Sequence, residues 1–201
     1  MASHTPSARA LLDRHAEALR LFTDRVHAVR DDQWSASTPC TEWSVRDLVT
    51  HLTTEQLWVP SLLTEGRTVA EVGDAFDGDV LGDDPVTVWD RAAAEARKAF
   101  EAPGVLKRTV NLSYGDSAAD AYCAQMVSDA VVHSWDLSRA IGADERLPED
   151  LVEFTRREVG PYVQSLSQTG LFAPPVKTGK GADPQTELLA LLGRQVRQKR
   201  Q

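Results

Sequence analysis

A chain of 201 residues with 42% hydrophobic and 26% charged residues can bury one ordinary core, and its formal net charge of −8 excludes nucleic acid and anionic membranes as expected partners. No run approaches the ~18 apolar residues of a membrane span, and the N-terminal segment lacks the apolar stretch of a secretory signal. The two cysteines, Cys40 and Cys123, have no metal-like spacing, so a reducing, cytoplasmic setting is expected. A single domain over residues 1–201 is expected, with residues 195–201 forming a short basic tail that frays.

Helix signals dominate the chain. Thr5 and Pro6, a capping residue and then a proline, predict the start of the first helix. Leu11, His15, Ala18, Leu19, Phe22, Val26 and Val29 recur at three- and four-residue spacing and carry it toward Asp31 and Asp32. The stretch "QWSASTPCTEW" is a loop rich in Ser, Thr and Pro. Ser44, with Asp47 three residues on, predicts a capped second helix. Its inner stripe is Leu48, His51, Leu52, Glu55, Trp58 or Val59, and Leu62. Pro60 is expected to kink or shorten it.

The Gly- and Asp-rich stretch "EGRTVAEVGDAFDGDVLGDD" is a long connection. A third helix is predicted from Asp84 and Pro85 to Pro103 and Gly104, and the β-branched "VLKRTVNLSYGDS" after it reads as extended chain across a bundle end. A fourth helix is predicted from Asp116 or Ser117 to Ala140, with Gly142 closing it. A fifth follows Pro148, and a short last one begins at Asp183 and Pro184. The expected class is all-α: a four-helix bundle with one long crossover connection and extra C-terminal helices.

Three of the polar residues on these apolar stripes form a candidate set. His51 points inward from the second helix. Asp129 and His133 lie four apart on the fourth, which brings their Cβ atoms to roughly 6 Å. Two helices that deliver two imidazoles and one carboxylate inward are one way in which bundles build metal sites. The competing reading is a hydrogen-bonded core histidine and an ordinary surface pair. Cys40 reads as a small buried residue, or as a thiol near a helix N-terminus. Cys123 reads as core packing off the metal face, His15 as an inner residue without ligand neighbours, and His4 and His27 as solvated. Zincin, CxxC, nucleophile-elbow, dinucleotide and P-loop motifs are all missing from the sequence.

"DDQWSASTPCTEWSVRDLVTHL" and "SDAVVHSWDLSRAIG" resemble segments of the DinB/YfiT-like superfamily, in particular the metal-binding domain of mycothiol-dependent maleylpyruvate isomerase. "FAPPVKTGKGADPQTELLALLGR" is similar to an actinobacterial branch of metal-binding proteins, and the likeness extends over residues 10–194. The resemblance implies a DinB-like bundle holding a divalent metal, zinc first, with nickel or iron as alternatives. It implies His51, Asp129 and His133 as the ligands. The isomerase-like pattern has Glu where this chain has Asp129, and other members of the superfamily have His there. The isomerase also carries a further C-terminal domain, where this chain has only its fifth helix and tail.

Three protein ligands leave coordination positions open, as catalytic zinc sites do. The expected activity is a metal-dependent transfer or isomerisation using mycothiol or a similar thiol as cosubstrate. The expected partner is a small-molecule substrate, and a homodimer is the candidate assembly. Asp47 and Glu55, one turn either side of His51, are candidates to orient its ring, or simply solvated charges. The rivals are a non-haem iron oxygenase built on the same donors, a metal- or ligand-binding bundle without turnover, and a helical protein whose inner polar residues only satisfy one another.

Overall fold

The computed structural model describes residues 7–163 and 173–196. Its elements are mostly helical: α1 (Ala8–His27), α2 (Val45–Leu63), the one-turn α3 (Val69–Val72), α4 (Pro85–Glu101), α5 (Ala119–Ile141), α6 (Glu149–Val159) and α7 (Pro184–Leu191), with a hairpin of β1 (Thr109–Leu112) and β2 (Gly115–Ala118) before α5. The expectation of a helical class thus holds at that level, and the hairpin is an addition to it. None of the described helices is long and apolar enough to cross a membrane. The chain divides into two compact units, residues 1–144 and 145–201.

Local sequence signals set most helix ends. Asp84 accepts a hydrogen bond from the Thr87 amide and Pro85 opens α4, while Asp183 and Pro184 do the same for α7. Ser44 and Asp47 form a reciprocal capping box at the start of α2. Gly142 ends α5 with φ +73°, a conformation that costs a residue with a Cβ about 1 kcal/mol or more.

The end of α1 and the start of α5 differ from expectation. Thr5 and Pro6 lie outside the described residues, and the cap in view is Ser7, whose hydroxyl accepts from the Ala10 amide. α1 ends at His27 rather than near Asp31, because the chain there turns into a short 3-10 segment over Asp31–Gln33. α2 continues through Pro60 to Leu63, although the proline has no amide to give the Gln56 carbonyl; the helix closes within a turn of it, and the Thr64 and Glu65 amides donate to the Pro60 carbonyl. Asp116 and Ser117 do not start α5: they pair with Asn111 and Val110 as β2. Cross-strand pairing there outcompetes capping, since Val110 and Leu112 bury one face of the hairpin.

In the first unit α5 packs against both α1 and α2, and α4 packs against α1 and α2. Trp89, Phe22 and Phe100 fill the space between them with at most 1% exposure, the first two edge to face at 4.8 Å. α5 is surrounded on nearly all sides, from Ala119, Tyr122 and Cys123 to Trp135, Leu137 and Ile141. A helix in that position must bury whatever polar residues it carries. Ser128 and Ser134 turn their hydroxyls back to the carbonyls of Ala124 and Ala130, and Ser138 accepts from Arg25. His133 and Asp136, two further buried polar residues of α5, meet at the site below.

In the second unit the inner faces of α6 (Leu151, Val152 and Phe154) and α7 (Leu188, Leu189 and Ala190) are buried. Arg156 pairs with Glu187 at 2.6 Å, and Gln185 accepts from the Leu147 amide and donates to the Glu145 carbonyl. The tail expected to fray reaches outside the described residues from 197 onward.

Candidate metal centre

α2 and α5 bring His51 and the Asp129–His133 pair together. The Asp129 carboxylate lies between the two imidazoles: Oδ2 is 3.4 Å from His51 Nε2, and Oδ1 is 3.4 Å from His133 Nε2. Donor atoms of all three residues lie within 4.8 Å of one another. The two rings meet edge to face with centroids 5.4 Å apart. Exposure rises across the group, from 6% for the His133 side chain to 23% for Asp129 and 31% for His51, so the site opens to solvent on the α2 side.

These separations suit an ion better than they suit each other. Charge-assisted hydrogen bonds are about 2.7–2.9 Å long, and Asp129 Oδ2 is buried without a hydrogen-bond partner. A tetrahedral ion with bonds of about 2.0–2.1 Å has ligand–ligand edges of about 3.4 Å; the two 3.4 Å separations run to different oxygens of Asp129, and one donor atom from each residue lies within 4.8 Å of the others. The donor set, two neutral nitrogens and one anionic oxygen, is one that zinc, nickel and iron accept. The residues therefore fit a divalent metal.

The electrostatics are those of a compact charge cluster. Burial by itself pushes the Asp129 carboxyl up, but the imidazoles of His133 and His51 outweigh it and hold the carboxyl well below the usual range. Burial disfavours a charged His133, yet the Asp129 carboxylate, with the contacts to Asp136 and Cys40, raises its pKa well above the ordinary value. Glu55 is raised first by burial and then by the Asp129 charge, with the two histidines pulling the other way. Glu55 thus belongs to the electrostatic surroundings of the site. Asp47 does not: its carboxylate is bound to the amide and hydroxyl of Ser44, at 2.9 and 2.5 Å, and serves the helix cap.

The loop before α2 supplies residues that sequence reasoning left out of the site. Ser37 and Ser44 form an isolated antiparallel bridge. The Thr38 amide donates to the Trp43 carbonyl, the Trp43 amide to the Cys40 carbonyl, and the Val45 amide to the Ala36 carbonyl. The loop is therefore a pinned turn, with Glu42 in the left-handed region at φ +68°. It places the Trp43 indole 5.0 Å from the His51 ring and 6.1 Å from the His133 ring, centroid to centroid. It also sets Cys40 Sγ 3.4 Å from Asp136 Oδ2 and 3.8 Å from His133 Nδ1. Cys40 is half-buried beside the site rather than a mere small core residue. Asp136 itself is fully buried, 2.9 Å from His133 Nδ1. The signal for it was present as the i, i+3 spacing of "HSWD" inside an apolar helix.

The other candidates lie elsewhere. Cys123 is buried, and burial pushes its thiol up to about 12, which leaves it inert at neutral pH. His15 is buried edge-on to Phe100, and His27 is half-exposed and paired with Asp90 at 2.9 Å. His4 lies outside the described residues.

Comparison with known proteins places this geometry in context. The family described as "Mycothiol maleylpyruvate isomerase N-terminal domain" matches residues 12–138, a span that includes His51, Asp129, His133 and Asp136. Among curated proteins, Uncharacterized protein MT0763 of Mycobacterium tuberculosis (strain CDC 1551 / Oshkosh) and Uncharacterized protein Rv0738 of Mycobacterium tuberculosis (strain ATCC 25618 / H37Rv) are each 31% identical over 189 residues, covering 91% of this chain and 97% of the relative. No solved structure matches the chain.

Proposed function

The chain belongs to the mycothiol maleylpyruvate isomerase N-terminal domain family, and from that premise we propose that it is a divalent-metal-dependent enzyme of the cytoplasm that conjugates a low-molecular-weight thiol, mycothiol or a relative, to a small electrophile, or uses it to isomerise one. The architecture proposed for it is a DinB-like four-helix bundle formed by α1, α2, α4 and α5, with the stretch between α2 and α4 as the long connection. The observation that carries the reading is the convergence of His51, Asp129 and His133 from two helices, with donor atoms within 4.8 Å.

These three residues would hold the metal: His51 and His133 through Nε2, and Asp129 through its carboxylate. When bound, a zinc-like ion supplies Lewis acidity that favours the thiolate form of a bound thiol at neutral pH. The chain's own residues do the rest. Asp129 supplies the anionic charge that two neutral imidazoles lack. Trp43 lies beside the rings of both histidines and forms an apolar wall of the site. The 31% exposure of the His51 side chain leaves a way in for a substrate. Zinc is the metal proposed, with nickel or iron as alternatives.

The test begins with elemental analysis of freshly purified, untagged protein. The loaded protein is then offered mycothiol with a panel of small electrophiles. Turnover that requires both the metal and the added thiol, and that disappears in His133→Ala, supports the reading. Turnover indifferent to thiol points to a hydrolase. Iron with oxygen consumption points to an oxygenase. Metal without turnover points to a binding protein.

A further inference from the structure

We propose that Asp136 is the positioning residue of this site: it accepts a hydrogen bond from His133 Nδ1–H and so leaves Nε2, turned toward Asp129 and His51, as the nitrogen that a metal would take. The assignment deepens the metal-site reading. It rests on that reading for its consequence in metal affinity, while the ring orientation stands on geometry alone.

Asp129, His133 and Asp136 sit at i, i+4 and i+7 of α5, on one face of the helix. His133 is therefore held between two carboxylates that it meets at different distances. On one side Nδ1 is 2.9 Å from Asp136 Oδ2, the length of a charge-assisted hydrogen bond. On the other, Nε2 is 3.4 Å from Asp129 Oδ1, longer than such a bond. The short bond is the one that fixes the ring. A half-turn flip about Cβ–Cγ would exchange Nδ1 for a carbon and lose it.

Asp136 is suited to this task because it is itself held. Its side chain has no exposure, while that of Asp129 retains 23%. Cys40, arriving from the pinned loop before α2, donates its thiol proton toward the same Oδ2 atom at 3.4 Å. Asp136 is thereby tied to a second chain segment, and its carboxylate cannot follow the ring if the ring turns. A carboxylate behind a metal-binding histidine, on the nitrogen away from the ion, fixes the tautomer and raises the ligand's basicity. Asp136 is placed to do this for His133. Among the described residues, Asp47 is bound to Ser44 instead, and Glu55 makes no such hydrogen bond to the His51 ring.

The experiment uses the full chain and zinc. Asp136→Asn preserves shape but presents an uncharged amide that can turn its own N–H toward Nδ1. Zinc affinity is measured by competition with a chromophoric chelator, with helix content checked by circular dichroism. The expected result is a folded variant whose affinity falls by about 10–100-fold. An affinity within about twofold of wild type in a folded variant overturns the assignment. Nitrogen-15 spectra of the wild-type histidine rings provide a second readout that needs no variant. In the zinc-loaded protein the His133 proton is expected on Nδ1 and the metal-induced shift on Nε2; the reverse arrangement overturns the assignment even if Asp136→Asn fails to fold. If the wild type takes up no zinc, the metal-site reading fails by itself. The metal-free protein then decides: a hydrogen-bonded His133 Nδ1 proton, protected from exchange with solvent, supports the role of Asp136, and its absence overturns it.

Discussion

His51 Nε2 and Asp129 Oδ2 stand 3.4 Å apart, although they come from helices that meet only in the folded chain. Removing either member of that contact is expected to affect metal differently. His51→Ala and His133→Ala each delete a neutral donor and should abolish stoichiometric zinc binding in a chelator competition. Asp129→Ala removes the anionic ligand and should weaken binding by at least about tenfold, on the scale of one lost charge-assisted contact. Asp129→Glu restores the isomerase-like residue and should retain metal. Equal affinity in wild type and Asp129→Ala would place Asp129 outside the coordination shell.

Trp43 provides an optical signal for the same event. Its ring lies 5.0 Å from His51 and 6.1 Å from His133. Titration with cobalt(II) should quench part of the tryptophan emission, with saturation at the stoichiometric point. Trp43→Phe should lose most of that change while still binding cobalt by its visible absorption. Unchanged quenching in Trp43→Phe would mean that another tryptophan is the reporter.

Asp47 separates capping from positioning. Its carboxylate closes the box with Ser44, and hydrogen bonding to Ser44 lowers its pKa. Asp47→Asn should destabilise the fold by about 0.5–1 kcal/mol in urea denaturation, a typical cap contribution. It should leave zinc affinity unchanged. A large loss of affinity would return Asp47 to the vicinity of His51.

His15 should give the folded state a pH dependence of its own. Burial against Phe100, and secondarily the Arg97 charge, push it from its ordinary 6.5 down to about 3. Between those values the unfolded chain binds a proton that the folded chain refuses. Stability from this residue is therefore full above its ordinary pKa and is lost as pH falls, at up to about 1.4 kcal/mol per pH unit. His15→Met, a change of similar volume, should flatten the fall in urea midpoint between about pH 7 and about pH 5, where most carboxylates do not yet titrate. Parallel curves for wild type and variant would show that His15 takes up its proton without unfolding the core.

The sequence by itself determined most of the helices and the direction of the candidate ligands on them. Ser44 with Asp47, Asp84 with Pro85, Asp183 with Pro184, and Gly142 act within a single turn, so their effect can be read from neighbours in the chain. The inward phase of His51 and the four-residue spacing of Asp129 and His133 follow from helical periodicity alone. Only the tertiary structure decided that His51 and Asp129 sit at the same height, because the height of α2 on α5 is set by how their side chains interlock. It also decided the fate of Asp116 and Ser117, whose pairing partners lie across a turn in β1. The surroundings of the site were equally out of reach. Trp43 and Cys40 arrive through a loop whose path is fixed by bonds among Ala36, Thr38, Cys40, Trp43 and Val45. The fully buried Asp136 behind His133 owes its role to α5 being enclosed on nearly every side, a consequence of packing that no single helix encodes.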